Sequence, residues 1–130
     1  MGDLTENFSL REFRCKDGSG VPEELMDNVK LLAANLQKLR DRVNVPITVI
    51  SGYRSPVYNK RCGGAKYSQH LLALAADIRV KNHSPSDLQG IVIGMIKAGE
   101  MHQGGVGVYI SQNFLHYDCR GTPARWGRKK

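Results

Sequence analysis

The sequence has few cysteines, no long apolar run and no obvious linker. Its three cysteines, Cys15, Cys62 and Cys119, form no Cys-x-x-Cys pair, which argues against a thiolate zinc site and leaves each as an expected free thiol. No apolar run approaches the roughly 20 residues that span a bilayer. Residues 1–10 carry acids without an apolar core, so we expect neither a membrane span nor a signal peptide. Without repeats or a Pro/Gly/Ser-rich stretch, residues 1–130 are expected to form a single domain.

Basic residues outnumber acidic ones, and the formal net charge is +7. Such a surface attracts polyanions: nucleic acid, anionic lipid or the anionic polymers of a bacterial wall. Charge alone does not distinguish these polyanions. Nothing except charge indicates nucleic acid, so no specific nucleic-acid partner is expected. A solvated basic tail and a docking segment are both compatible with the cations near the C-terminus, which are Arg120, Arg125, Arg128, Lys129 and Lys130.

The apolar pattern predicts an α+β fold, with a small antiparallel sheet and helices packed on one face. Apolar spacing and capping residues predict two helices, at 22 to about 44 and at 85 to about 98. Short β-branched or apolar segments predict four strands, the last two as a hairpin, at 47–50, 75–80, 106–110 and 114–119. Irregular structure is expected for residues 8–20 and from 51 to about 67.

Two pairs of histidine and aspartate carry the possible chemistry. His70 and Asp77 bracket six residues, and Asp77 lies in an otherwise apolar strand, where an unpaired carboxylate is costly. His116 and Asp118 are two apart on a strand, so their side chains share a face. Two histidines and one carboxylate form the usual protein ligand set of a catalytic zinc, while a hydrogen-bonded structural pair is the alternative. The other histidines, in loop or helix-end settings, are expected to face solvent.

Several motifs in order along the chain resemble the zinc D-alanyl-D-alanine carboxypeptidase family, which includes peptidoglycan endopeptidases and some phage endolysins. The resemblance extends from Phe8 to Trp126. The motifs that carry it most strongly are Ser51-Gly52-Tyr53-Arg54-Ser55-Pro56, Ser68-x-His70-x6-Asp77 and Phe114-x-His116-x-Asp118-x-Arg120.

The resemblance implies one zinc ion per chain, bound by His70, Asp77 and His116 on the open face of the sheet. It implies that Arg54 steadies the substrate carbonyl and the developing oxyanion, as a guanidinium suits. Ser68, together with Tyr53 and Arg54, is expected to bind the substrate peptide. For Arg54 the plainer alternative is a surface arginine that caps the strand exit. For Ser68 it is a turn residue before His70.

The expected reaction is hydrolysis, by zinc-activated water, of D-amino-acid-containing peptide bonds in bacterial peptidoglycan. Whether the enzyme is a carboxypeptidase or an endopeptidase stays open. We expect a monomer that acts at the bacterial cell wall, in the periplasm or outside the cell. Because no signal peptide is recognised, a phage enzyme released by lysis, or a piece of a longer precursor, would fit the sequence.

The chain departs from the family pattern at two positions. Ala73 stands where the family usually has glycine. Asn113 stands where many members have the acidic general base, and asparagine accepts no proton at neutral pH. Asp118 is therefore the candidate base, with orientation of a zinc-bound histidine as its alternative role, and Glu100 is a more remote candidate. The missing acid also keeps open a second function, a non-catalytic zinc-binding module for the cell wall or a protein partner, as the resemblance to hedgehog-type domains suggests.

Overall fold

Five strands form one mixed sheet in the computed structural model, which describes residues 2–127. The spatial order is β1-β2-β4-β3-β5, and the strands span Ile47–Ser51 (β1), Ala75–Val80 (β2), Gly105–Tyr109 (β3), Phe114–Asp118 (β4) and Ala124–Trp126 (β5). The first four pair antiparallel, as the sequence predicts. The fifth, which the sequence did not predict, pairs parallel with β3. The predicted α+β fold with its antiparallel strands is thus confirmed, and β5 makes the sheet mixed at one edge. At three residues, β5 is too short to show an alternating pattern.

Both long helices lie where the sequence places them. Helix α1 spans Met26–Val43 after a short 3₁₀ turn at Glu23–Leu25, and it ends at Asn44, whose φ of 56° is left-handed. The later helix, Pro85–Lys97, follows Ser84, whose hydroxyl accepts a hydrogen bond from the Asp87 amide. A capping residue therefore marks the end of the first helix, at Asn44, and the start of the later one, at Ser84.

A third, short helix was not predicted. Helix α2 spans Pro56–Arg61, in the segment expected to be a loop, and the Pro85–Lys97 helix is accordingly α3. Its signals are local: Ser55 accepts a hydrogen bond from the Tyr58 amide, and Pro56 occupies the first turn. Six residues are too few to show an apolar stripe, so periodicity alone does not detect this helix.

Successive side chains of each strand lie on opposite faces of the sheet, and one face is apolar while the other is polar. On β4, Leu115 and Tyr117 are fully buried in the hydrophobic core, whereas His116 and Asp118 point to the opposite face. On β2, Ile78 belongs to the core and Asp77 to the polar face in the same way. The predicted apolar stripes of α1 and α3 cover the core, through Val29, Leu32, Leu36 and Leu39 and through Leu88, Val92, Met95 and Ile96.

Among residues 2–127, no helix is long and apolar enough to cross a membrane. All three cysteines are free thiols, with Cys15 and Cys119 buried and Cys62 exposed. Arg128, Lys129 and Lys130, which form the end of the predicted basic tail, lie outside the described residues.

We predict that Gly107→Ala displaces β5. A Cβ at Gly107 would overlap the indole of Trp126, which lies opposite it in the β3–β5 ladder. Trp126 is the sole tryptophan, so its fluorescence should shift to the red as the ring moves towards solvent, and overpacking should lower the free energy of unfolding by about 1–3 kcal/mol. Gly94→Ala on α3 is the control, because nothing lies within 4 Å of the added Cβ. An unchanged emission spectrum in Gly107→Ala would contradict this packing.

Candidate metal centre

The three predicted metal ligands converge on one buried point. Asp77 on β2 lies directly opposite His116 on β4 in the antiparallel ladder, and His70 comes from the 3₁₀ turn Gln69–Leu72 just before β2. One ligand atom from each residue can be chosen so that all three lie within 4.8 Å of one another. The three residues are 3–7% exposed, so the point is shielded from bulk water.

His70 is oriented by the exit loop of β1. Its Nδ1 donates to the Gly52 carbonyl oxygen at 2.7 Å, and its own carbonyl accepts from the Arg54 amide at 3.0 Å. The hydroxyl of Ser68 accepts from the His70 amide and fixes the start of the turn. Because Nδ1 is engaged by a carbonyl, Nε2 faces Asp77, 3.3 Å from Oδ2.

His116 lies between two carboxylates. Its Nδ1 is 3.1 Å from Oδ1 of Asp77, and its Nε2 is 2.7 Å from Oδ2 of Asp118. Burial lowers the pKa of His116, but the hydrogen bonds to Asp118 and Asp77 outweigh it and raise the pKa above its ordinary value. With Nε2 held by Asp118, the nitrogen that faces the centre is Nδ1.

The donor set fits a zinc ion. The atoms that face the centre are Nε2 of His70, a carboxylate oxygen of Asp77 and Nδ1 of His116. Two imidazole nitrogens and one carboxylate oxygen, with each imidazole's other nitrogen hydrogen-bonded to a carbonyl or carboxylate, are the donors and the supporting contacts of catalytic zinc sites. Burial raises the pKa of Asp77, but hydrogen bonds from His116 and His70 lower it to about 2, so the carboxylate is ionised.

Asp118 is fully buried, and both of its oxygens are engaged. Its Oδ1 accepts from the amides of Gly105 and Arg120 and from Nε of Arg120, while Oδ2 accepts from Nη2 of Arg120 and faces His116. Burial alone raises its pKa, but the bonds to His116, Arg120 and Gly105 hold the pKa well below its usual range. Asp118 does not line the cavity described next.

A cavity of about 500 Å³ opens above the three residues. The segment after β1 contributes Arg54, Ser68 and Gln69 to its lining, and the β3–β4 hairpin with β5 contributes Tyr109, Phe114 and Trp126. Nη2 of Arg54 is 3.6 Å from Oδ2 of Asp77, so a cationic group stands beside the centre. In the part of the chain that the structure describes, Asp77 is the one carboxylate in the lining.

Trp126 belongs to the site although no sequence motif assigns it a role. Its ring lies 5.0 Å from that of His116, and the guanidinium of Arg120 lies 5.6 Å from the Trp126 centroid. Its Nε1 donates to the hydroxyl of Tyr109, which stacks on Phe114 at 4.4 Å. The sequence names Trp126 only as the end of the family resemblance, and it is strand β5, which was not predicted, that brings the residue to His116.

Two further candidates from the sequence, Tyr53 and Glu100, are not part of the cavity lining. Tyr53 is 6% exposed and belongs to the hydrophobic core cluster, and its amide donates to the Phe13 carbonyl. Glu100 forms an exposed ion pair with Arg42 at 3.4 Å. The structure therefore brings Arg54, Ser68 and the three predicted ligands together, but not Tyr53 or Glu100.

Both departures from the family pattern occur at left-handed backbone positions. Asn113 has a φ of 57° in the β3–β4 turn, a conformation that asparagine tolerates, and its carbonyl accepts from Nε of Arg79. Ala73 is buried at a φ of 58°, where glycine carries no Cβ penalty. The family's glycine at that position thus has a backbone reason, and Ala73 keeps the same turn at some conformational cost.

The chain is similar to known proteins over most of its length. A family model described as Peptidase M15 matches residues 6–118. Two relatives named peptidoglycan L,D-endopeptidase MepK, from Escherichia coli strain K12 and from Shigella flexneri, are each 29% identical over 124 residues. The matched region covers 92% of this chain and 61% of each relative, so the chain spans less than two thirds of their length.

We predict that the purified protein binds about one zinc ion per chain, and that His70→Ala and His116→Ala each abolish binding. Metal content after dialysis checks this, with His102→Ala as the matched control because His102 is exposed and lies outside the cavity lining. Zinc should also change the Trp126 fluorescence, since that ring lies against His116. Full zinc content in both ligand variants would contradict the site.

Proposed function

The chain belongs to the Peptidase M15 family, and from that premise we propose that it is a zinc peptidase that hydrolyses D-amino-acid-containing peptide bonds of bacterial peptidoglycan. The observation that carries the proposal is the buried His70, Asp77 and His116 triangle, which opens onto a cavity lined by Arg54. The names of the relatives support the substrate class. The net charge of +7 suits an anionic wall polymer, so the proposed place of action is the cell wall. The proposed oligomeric state is a monomer.

Five residues of the cavity have proposed roles. A zinc ion held by the two histidines and Asp77 would supply a Lewis acid that activates water and polarises the scissile carbonyl. Arg54 lies beside Asp77 and would donate hydrogen bonds to the substrate carbonyl and to the negative charge that develops on it. Ser68 lines the cavity and accepts a hydrogen bond from the His70 amide, so its proposed role is to bind the substrate peptide while it also forms the turn.

For Asp118 we propose the orienting role rather than that of general base. Its two oxygens accept hydrogen bonds from Arg120 and Gly105 and hold Nε2 of His116, and it is 0% exposed. A carboxylate in that position fixes the ring of His116 and turns Nδ1 towards Asp77. A general base would need to reach the reacting water from the cavity, which Asp118 does not line.

Cleavage within a wall peptide is the favoured form of the activity. The relatives carry the word endopeptidase in their names, and no terminal carboxylate is then needed for recognition. A carboxypeptidase would instead release a single terminal D-residue. The two forms give products of different mass, so one digestion separates them.

One observation favours a second candidate function, a non-catalytic zinc-binding module. Within residues 2–127, no carboxylate other than the ligand Asp77 lines the cavity, because Asn113 lies in a turn and Asp118 is enclosed. A module of this kind would bind zinc and wall peptide without cleaving it.

We predict that the zinc-loaded protein releases new peptide termini beside D-residues from purified peptidoglycan, detected by mass spectrometry. Arg54→Ala should lower the rate by about 10²- to 10³-fold with zinc content unchanged, because it removes an oxyanion donor and no ligand. Arg42→Ala is the control, since Arg42 pairs with Glu100 on the surface. Zinc binding without any released fragment would favour the module.

A second prediction separates the two roles of Asp118. If it orients His116, Asp118→Asn should weaken zinc binding by about 10- to 100-fold, and activity should return at saturating zinc. If it is the general base, activity should stay about 10²- to 10⁴-fold lower at full zinc content. Zinc titrations followed by peptidoglycan digestion measure both, with Asp87→Asn in the first turn of α3 as the matched control.

A further inference from the structure

Asn59 is a buried polar residue next to the cavity, and no role has been assigned to it. It is 5% exposed and lies on α2, five residues after Arg54. Its Oδ1 accepts from Nη1 of Arg54 at 3.3 Å, and its Nδ2 donates to the Ala65 carbonyl at 2.9 Å. Its backbone carbonyl accepts from the Gly64 amide at 2.9 Å. One side chain thus joins α2, the loop after it and the arginine of the cavity.

The guanidinium of Arg54 has few other contacts within the described chain. Nη2 lies 3.6 Å from Oδ2 of Asp77, which is a long ion pair. Its Nε is buried and has no hydrogen-bond partner among residues 2–127. The amide oxygen of Asn59 is therefore the hydrogen-bond acceptor that fixes the rotation of the group, while Asp77 attracts it without a close bond.

Gly64 leaves the space that this arrangement needs. A Cβ at Gly64 would overlap Oδ1 of Asn59 and would lie 3.0 Å from Nη1 of Arg54. The backbone of the loop therefore approaches the contact more closely than any other residue type would allow. An added Cβ at Gly64 would therefore disturb both atoms of the Asn59–Arg54 contact, Oδ1 and Nη1.

We propose that Asn59 is a positioning residue that holds the Arg54 guanidinium over the cavity, and that Gly64 keeps the space for this contact. The consequence for catalysis rests on the proposed function. Orienting a guanidinium matters because its donors are fixed in one plane, so a rotation moves every hydrogen bond that it can offer to a substrate. Misplacing a catalytic group by about 1 Å can cost about 10²-fold in rate.

Nitrogen-15 NMR of the arginine side chains tests the positioning directly, without any activity. In the wild type, Arg54 should give separate Nη1 and Nη2 signals, because rotation of its guanidinium is hindered. In Asn59→Ala these signals should merge, and in Gly64→Ala they should shift. The guanidinium of Arg79, held by the carbonyls of Gln112 and Asn113, is the internal reference. Arg54→Lys assigns the signal, and Gly20→Ala controls for a glycine substitution, because nothing lies within 4 Å of its added Cβ.

A double-mutant cycle on peptidoglycan digestion tests the consequence. Asn59→Ala should lower kcat by about 10- to 100-fold with zinc content unchanged. On the Arg54→Ala background it should add nearly nothing, because the residue that it positions is already absent. If Asn59 only stabilised the fold, the two substitutions would act independently. The double variant would then lose kcat by the product of the two single fold-changes.

The outcomes separate this proposal from the proposed function. Merged Arg54 signals in the wild type, unchanged signals in Asn59→Ala, or multiplied rate effects would each overturn the positioning role. If the wild type binds zinc but cleaves no peptidoglycan, the proposed function fails, and the NMR comparison alone decides the role of Asn59.

Discussion

The buried carboxylate of Asp77 is the constraint on which the site depends. An ionised carboxylate at 5% exposure is costly unless it is compensated, and three partners surround it: His70, His116 and Arg54. The partners come from separate parts of the chain, so compensating Asp77 requires the 3₁₀ turn, strand β4 and the loop after β1 to meet. The same convergence creates the donor set for a metal ion, which would neutralise the carboxylate further.

A second layer of contacts fixes each of those partners. The Gly52 carbonyl holds His70, Asp118 holds His116, and Asn59 holds Arg54. Each of these contacts uses a buried or backbone group, which leaves one defined atom of each partner facing the cavity. This is the arrangement expected of a site that must be rigid before substrate arrives, because every freely rotating group would weaken metal and substrate binding.

Most of the fold could be predicted because its signals are local. The stripe of α1, the Ser84 cap of α3 and the apolar strand β2 are each encoded within a few residues, and the structure confirms them. Helix α2 and strand β5 were not predicted, because six and three residues are too few to show a repeating pattern of apolar residues. The parallel pairing of β5 follows from its position beside β3, which no pattern in residues 124–126 encodes.

The sequence by itself indicated the kind of site. Two pairs of histidine and aspartate stood out, because side chains alternate along a strand and a buried carboxylate needs partners, and the family resemblance implied that His70, Asp77 and His116 bind the metal. Only the tertiary structure decided which atoms face the centre. The Gly52 carbonyl that turns the ring of His70 has no sequence signature, and Asp77, which faces Nδ1 of His116, is distant from it in sequence. For the same reason the packing of Trp126 on His116 and the hold of Asn59 on Arg54 became visible only in three dimensions.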